Sequence, residues 1–171
     1  AVLSDFLKHF RKDGTEFSLI YRNRYELKAA HAVFADVLQR EYKGCEIISK
    51  PFADGLFYRL YFNDGEKEIE CGFAVGLFAI DKMKKYSPMF LNVRRALFDE
   101  YQVEDGKYLS NEPTKLVSLI VSMSRGGGAQ SRNIDLYLLS NNVSILNPYY
   151  IKLGIVERLK SDTRFLRGHG W

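Results

Sequence analysis

Asp99 and Glu100 stand side by side at the end of a short apolar run, Ala96-Leu97-Phe98. An apolar run of that length reads as a buried strand, and two acids at its tip are costly to bury unless something there uses them. In nucleotide hydrolases the first acid of such a pair holds Mg²⁺, usually through water, and the second polarises the attacking water. A strand that simply ends in solvent carries the same residue types, so the pair by itself leaves both readings open. Two further apolar runs end in polar groups: residues 17–21 in Arg22, and residues 134–139 in Ser140-Asn141. Open α/β sheets bind ligands at the carboxyl ends of their strands, so these three ends are expected on one edge.

The candidate cations are less specific. Arg125 and Arg132 flank a stretch containing Gly126-Gly127-Gly128, which fits a solvated loop with basic ends. Lys82, Lys84 and Lys85 fit a solvated basic face or a contact to nucleotide or DNA, and Arg22 and Arg24 fit either a surface ion pair or such a contact. Cys45 and Cys71 form no CxxC, and His9, His31 and His169 are scattered. That pattern argues against a zinc site and for a reducing compartment.

The elements that would position these groups are legible along the chain. Its 171 residues suit one globular domain with a real core. The 46% hydrophobic and 14% aromatic content argues against disorder. A net charge of +4 permits a polyanionic partner without requiring one. No run of about 18 apolar residues marks a membrane span, and charge at Asp5 and Lys8 argues against a signal peptide. Val2, Leu3, Phe6, Leu7 and Phe10 have helical spacing, ended by Gly14 after the basic Arg11-Lys12. This helix has no N-cap signal, so its start is expected upstream of Ala1. A strand at 17–21 and a helix at about 25–42 follow. Asn63-Asp64-Gly65 predicts a hairpin turn between strands at 56–62 and 68–71, with a central strand at 73–80 and a basic helical turn at 81–86. The Asp99-Glu100 strand, a polar stretch at 102–112, a helix at about 113–123 opened by Pro113, a strand at 134–139 and a short helix from Pro148 complete the chain. Strands separated by helices predict an α/β fold: a mostly parallel sheet flanked by helices, with an antiparallel hairpin insertion.

Several motifs occur in an order that resembles a known family. They are Leu97-Phe98-Asp99-Glu100-Tyr101, the loop ending Ser110-Asn111-Glu112, and Ser140-Asn141-Asn142-Val143-Ser144-Ile145-Leu146-Asn147-Pro148-Tyr149. The chain resembles the genome-packaging ATPases of small tailed double-stranded-DNA phages, the encapsidation-protein branch of the terminase-like motors. Residues 17–27 are similar to that family's second strand and the basic-aromatic segment after it. The resemblance implies an additional-strand P-loop ATPase that uses Mg²⁺ with ATP to drive double-stranded DNA into a procapsid. It assigns Asp99 to the Walker B magnesium-site acid, usually acting through water, and Glu100 to the catalytic glutamate. Ser140-Asn141 would sense the γ-phosphate and couple hydrolysis to movement. Arg125 would be an arginine finger offered to the neighbouring subunit's ATP, with Arg132 a weaker candidate, and Arg22, Lys84 and Lys85 would be further nucleotide or trans-acting cations.

The sequence departs from that pattern twice. No Gly-x-x-x-x-Gly-Lys-[Ser/Thr] occurs, so there is no Walker A loop in the chain. Since residues 1–10 look like the helix that follows such a loop, the loop is expected upstream of Ala1, and the chain alone is expected to hydrolyse ATP poorly. Second, Arg94-Arg95 puts charge where the Walker B strand is usually apolar, so either the strand starts at Ala96 or Arg95 has an acidic partner. Residues 1–154 would form the ATPase core and 155–171 a lid or linker fragment. The expected partners are double-stranded DNA, a homo-oligomeric ring and the portal or procapsid, with a packaging RNA open. No membrane is expected, and the setting is host cytoplasm, transiently docked on the procapsid. The alternative function is a non-catalytic nucleic-acid-binding or scaffold domain of P-loop ancestry that has lost its phosphate-binding loop.

Overall fold

A computed structural model describes residues 1–125 and 132–159. The chain starts with helix α1 (Val2–Asp13), which places Phe6, Leu7 and Phe10 in the core. Gly14 ends it at φ 73°, a left-handed turn that lets its N–H reach the carbonyl of Phe10 at 2.9 Å. Strand β1 (Glu16–Tyr21) follows. The single helix expected at 25–42 is two elements, a 3-10 helix (Arg24–Phe34) and α2 (Ala35–Glu41). Leu27 and Ala30, three residues apart, face the core together, a spacing that suits three residues per turn.

Strand β2 (Glu46–Phe52) was not evident from the sequence pattern. It lies at the sheet edge with only Ile47 fully buried, and carries Pro51, so it shows no clean alternation. The hairpin at Asn63-Asp64-Gly65 joins β3 (Phe57–Asn63) to β4 (Glu68–Gly76). The two expected strands at 68–71 and 73–80 are thus one strand, which stops at Gly76 and turns into short helical segments, including α3 (Ile80–Met83) and a 3-10 helix (Lys84–Phe90). Strand β5 (Val93–Asp99) precedes a loop and α4 (Glu112–Ser124), then β6 (Asp135–Leu139) and α5 (Pro148–Leu153). The arginine anomaly resolves in favour of an acidic partner: β5 begins at Val93, and Arg95 Nε lies 3.6 Å from Asp5 Oδ2 on α1.

The six strands form one sheet in the order β2-β3-β4-β1-β5-β6. β4, β1, β5 and β6 run parallel, while β3 is antiparallel to both β2 and β4. One face packs under α1 and the Arg24–Glu41 helices through Phe17, Leu19, Leu97, Phe6 and Phe34. The other packs against α3, α4 and α5 through Ile20, Phe73, Phe98, Leu116 and Tyr149. Gly72 allows β4 to lie close against β1, since a Cβ there would sit 2.3 Å from the carbonyl oxygen of Phe17. Ile155 is buried. Residues 160–171 of the expected lid or linker lie outside the described residues.

Glu16, at the first position of β1, is partly buried beside Glu70. Desolvation, then the charge of Glu70, pushes its carboxyl from an ordinary 4.5 to about 7. A folded pKa raised above the unfolded one contributes stability that is complete below about pH 4.5 and lost as pH rises through about 7. Urea titrations of Glu16→Gln and wild type should therefore coincide at acid pH, with the variant the more stable above pH 7. Parallel curves across that range would show that Glu16 is not so perturbed.

Candidate functional site

Strand register assembles the site. β1 and β5 pair in parallel with Ile20 opposite Phe98, and β5 pairs with β6 with Asp99 opposite Leu139. Chains leaving three neighbouring parallel strands at the same level must emerge together, so Arg22, Asp99-Glu100 and Ser140-Asn141 share one edge. Two adjoining hollows open there. One, of about 250 Å³, is lined by Leu3, Tyr21, Arg22, Glu26, Asp99 and Glu100 among others. The second, of about 340 Å³, includes Arg22, Glu100, Gln102, Glu104, Ser140 and Asn141. Leu3 brings the amino end of α1 to the first hollow.

Asp99 and Glu100 are both exposed. Asp99 Oδ1 accepts the N–H of Glu100 at 3.0 Å. Glu100 adopts φ 54°, in the left-handed region that residues with a side chain rarely occupy. Arg22 holds this turn: its guanidinium donates to the carbonyl of Glu100 at 3.3 Å and to that of Tyr101 at 2.9 Å. Its other bonds form a fork onto Glu112, Nε to Oε2 and Nη2 to Oε1, both at 2.8 Å.

Glu112 is fully buried, and each of its oxygens meets two donors. Tyr149 Oη on α5 donates to Oε1 at 2.5 Å, and the N–H of Leu109 donates to Oε2 at 2.8 Å. Burial disfavours the charge on Arg22, but the hydrogen bonds and charge of Glu112 outweigh it and hold the guanidinium pKa above its ordinary value. Burial, followed by the bond to Glu112, raises the Tyr149 hydroxyl well above the usual range. The Arg22 side chain is 11% exposed and stacks 5.3 Å from the ring centroid of Phe98.

The other candidate cations lie elsewhere. Arg125 is exposed at the carboxyl end of α4, thirteen residues beyond Glu112, or about 20 Å at 1.5 Å per residue. Arg132 donates to the carbonyls of Phe90, Leu91, Met123 and Ser124, fastening the end of α4 to the chain that enters β5. Both therefore sit near the amino ends of the strands, remote from Asp99-Glu100 of the same chain. Gly126-Gly127-Gly128 lies outside the described residues. Lys85 is exposed, with its ammonium 4.9 Å from the Tyr86 ring centroid, and lines neither hollow. The backbone of Lys84 lies in the same 3-10 helix.

Sequence reasoning missed Glu112, Gln102 and the role of Tyr149. Glu112 and Gln102 fell in a stretch read as polar loop, yet both are buried. A signal was present for Tyr149 alone, in Asn147-Pro148: Asn147 Oδ1 accepts the N–H groups of Tyr149 and Tyr150 at 3.0 Å each and opens α5.

A mostly parallel sheet with polar groups gathered at its carboxyl edge places the chain among open α/β proteins, a class whose ligands bind at that edge. The particular family follows from comparison with known proteins. The podovirus DNA encapsidation protein (Gp16) family matches residues 2–166, and the chain belongs to that family. It is 28% identical over 152 residues to the DNA packaging protein of Bacillus phage phi29, covering 88% of this chain and 41% of that protein. It is 30% identical over 152 residues to the DNA packaging protein of Bacillus phage B103, covering 88% and 42%. The chain thus spans about two fifths of these relatives' length. Among solved structures it superposes on the N-terminal domain of the DNA packaging ATPase from bacteriophage phi29 with a TM-score of 0.75 and 27% identity, over 98% of this chain and 77% of that one. It also superposes on a chain of the bacteriophage phi29 genome packaging motor assembly, with a TM-score of 0.64 and 28% identity, over 86% and 41%.

Arg22→Ala should leave Glu112 buried without its fork and cost about 3–5 kcal/mol in urea denaturation. Adding Glu112→Leu should return part of that loss, because both charges are then gone. A single-variant loss under about 1 kcal/mol would show that the pair does not hold this edge together.

Proposed function

We propose that the chain is the ATPase domain of a viral DNA-packaging motor, of the additional-strand P-loop type, coupling hydrolysis of Mg-ATP at subunit interfaces to movement of double-stranded DNA into a procapsid. The observation that carries this reading is the meeting of Asp99-Glu100, Ser140-Asn141 and the amino end of α1 around one edge, in a chain of the DNA encapsidation family.

The chemistry follows from each residue's place. Glu100, exposed beside the hollows, orients and deprotonates the attacking water. Asp99, with its exposed carboxylate, would hold the magnesium ion, usually through water. Among the described residues no cluster of His, Cys, Asp and Glu could form an all-protein metal cage. When bound, the ion neutralises charge on the phosphates. Ser140 and Asn141 line the second hollow together with Glu100, a place suited to reading whether a γ-phosphate is present. Through Leu3 the first turn of α1 borders the first hollow, the end of a helix whose dipole favours an anion.

Arg125 lies too far from Asp99-Glu100 to serve its own subunit; in this reading it is an arginine finger offered to a neighbour's ATP. That makes a homo-oligomeric ring part of the reading, with portal or procapsid and DNA as the other partners, and the host cytoplasm as the setting. DNA would be gripped through its phosphates, by Lys and Arg without base readout. No helix among the described residues is long and apolar enough to cross a membrane. The net charge of +4 is also consistent with a second reading, a non-catalytic nucleic-acid-binding or scaffold domain of P-loop ancestry.

In the full-length protein, Glu100→Gln should keep ATP binding and lower turnover about 10²-fold or more, with packaging abolished. Retained packaging would reject the role given to Glu100, and a wild-type protein without turnover would favour the scaffold reading. For Arg125→Ala, mixing variant and wild-type subunits should poison packaging out of proportion to the fraction added. A strictly proportional loss would argue against action in trans.

A further inference from the structure

We propose that Gln102 is a positioning residue that couples the Ser140-Asn141 segment to Glu100; this deepens the ATPase reading and rests on it. Gln102 lies two residues beyond Glu100 and is 5% exposed, an unusual place for an amide in a loop. Its Nε2 donates to the hydroxyls of Tyr101 at 3.0 Å and Tyr150 at 3.2 Å. Its Oε1 accepts the backbone N–H groups of Val143 at 3.3 Å and Ser144 at 3.1 Å. Both donors and both lone pairs of the amide are therefore used, and the side chain has no freedom to turn without leaving a buried polar atom unpaired.

The segment on the other side of these bonds is otherwise held at Ser144, whose carbonyl accepts from buried Asn147 Nδ2 at 2.7 Å. Residues 140–146 form no helix or strand, and Val143, Ile145 and Leu146 are exposed. Past the last paired residues of β5 and β6, Tyr101 N–H still reaches the carbonyl of Leu139 at 3.3 Å, and Gln102 makes the next connection. On its near side, residues 100 and 101 are fixed by Arg22, which is itself locked to buried Glu112. The chain from 100 to 102 is thus held between a fixed anchor and a movable one. A shift of Ser140-Asn141 toward or away from a phosphate must draw on Val143 and Ser144, hence on Gln102. Glu100, in a backbone conformation unfavourable for a residue with a side chain, is where the strain is most readily released.

The brace can be tested apart from catalysis by amide hydrogen exchange on the 171-residue chain. After correction for intrinsic rates, Val143 and Ser144 should exchange on the order of tenfold more slowly than Asn142 and Ile145, whose N–H groups make no hydrogen bond among the described residues. Gln102→Met should remove that protection while the amide of Leu19, in the centre of the sheet, stays protected. Gln102→Glu, whose carboxylate still accepts from both amides, should keep it. Equal exchange at the four amides of wild type, or unchanged protection in Gln102→Met, would overturn the proposal. If Gln102→Met also exposes Leu19, the wild-type rates and Gln102→Glu decide: loss of Val143 and Ser144 protection in Gln102→Glu with the sheet intact overturns it.

In the full-length protein, Gln102→Met should lower kcat for ATP hydrolysis with KM unchanged, and Gln102→Glu should recover part of the loss. A raised KM at unchanged kcat, or no change in either, would refute the coupling. Normal amide protection in a full-length protein without ATP turnover would instead overturn the ATPase reading and leave the brace standing.

Discussion

The carboxylate of Glu112 has no exposure to water, so its lone pairs must be met by protein groups. Arg22 reaches it from the end of β1, Leu109 from the loop before α4, and Tyr149 from α5. These three segments can be in only one arrangement if all four bonds are made. A buried ion pair is often no more stabilising than apolar groups of similar volume. Its effect here is positional: by fixing Arg22 it fixes the carbonyls of Glu100 and Tyr101, and with them the turn on which the catalytic candidate sits.

Register supplies the rest of the geometry. Parallel strands β1, β5 and β6 end level with one another, so no long loop is needed to bring Arg22, Asp99-Glu100 and Ser140-Asn141 together. Rigid strands place the groups, and buried side chains orient them. The cations at the far end, Arg125 and Arg132, have different surroundings. Arg132 is committed to four carbonyls that tie α4 to the start of β5, whereas Arg125 projects into solvent.

The sequence made the parallel core, the hairpin and the strand-end candidates readable because each depends on local pattern: apolar runs, Asn63-Asp64-Gly65, and polar residues after a strand. β2 was not readable because an edge strand with one face in solvent and a proline in it carries almost no pattern. The 25–42 segment read as one helix because Leu27, Ala30, Phe34, Val37 and Leu38 satisfy α spacing nearly as well as 3-10 spacing. Glu112 and Gln102 were hidden for a different reason. A polar residue is assigned to the surface by default, and what overrides that default here are partners 90 and 41 residues away. Such pairings are properties of the folded chain, and no window along the sequence contains them.

Those long separations also set the order in which the molecule can be built. Arg22 and Glu112 are 90 residues apart, and closing a contact of that span costs more chain entropy than forming the local helices and the hairpin. A chain emerging from the ribosome would already carry Asp99 and Glu100, but without Glu112 and Tyr149 the turn bearing them has no anchor. In a partly made chain this turn therefore stays unanchored until α5 has docked.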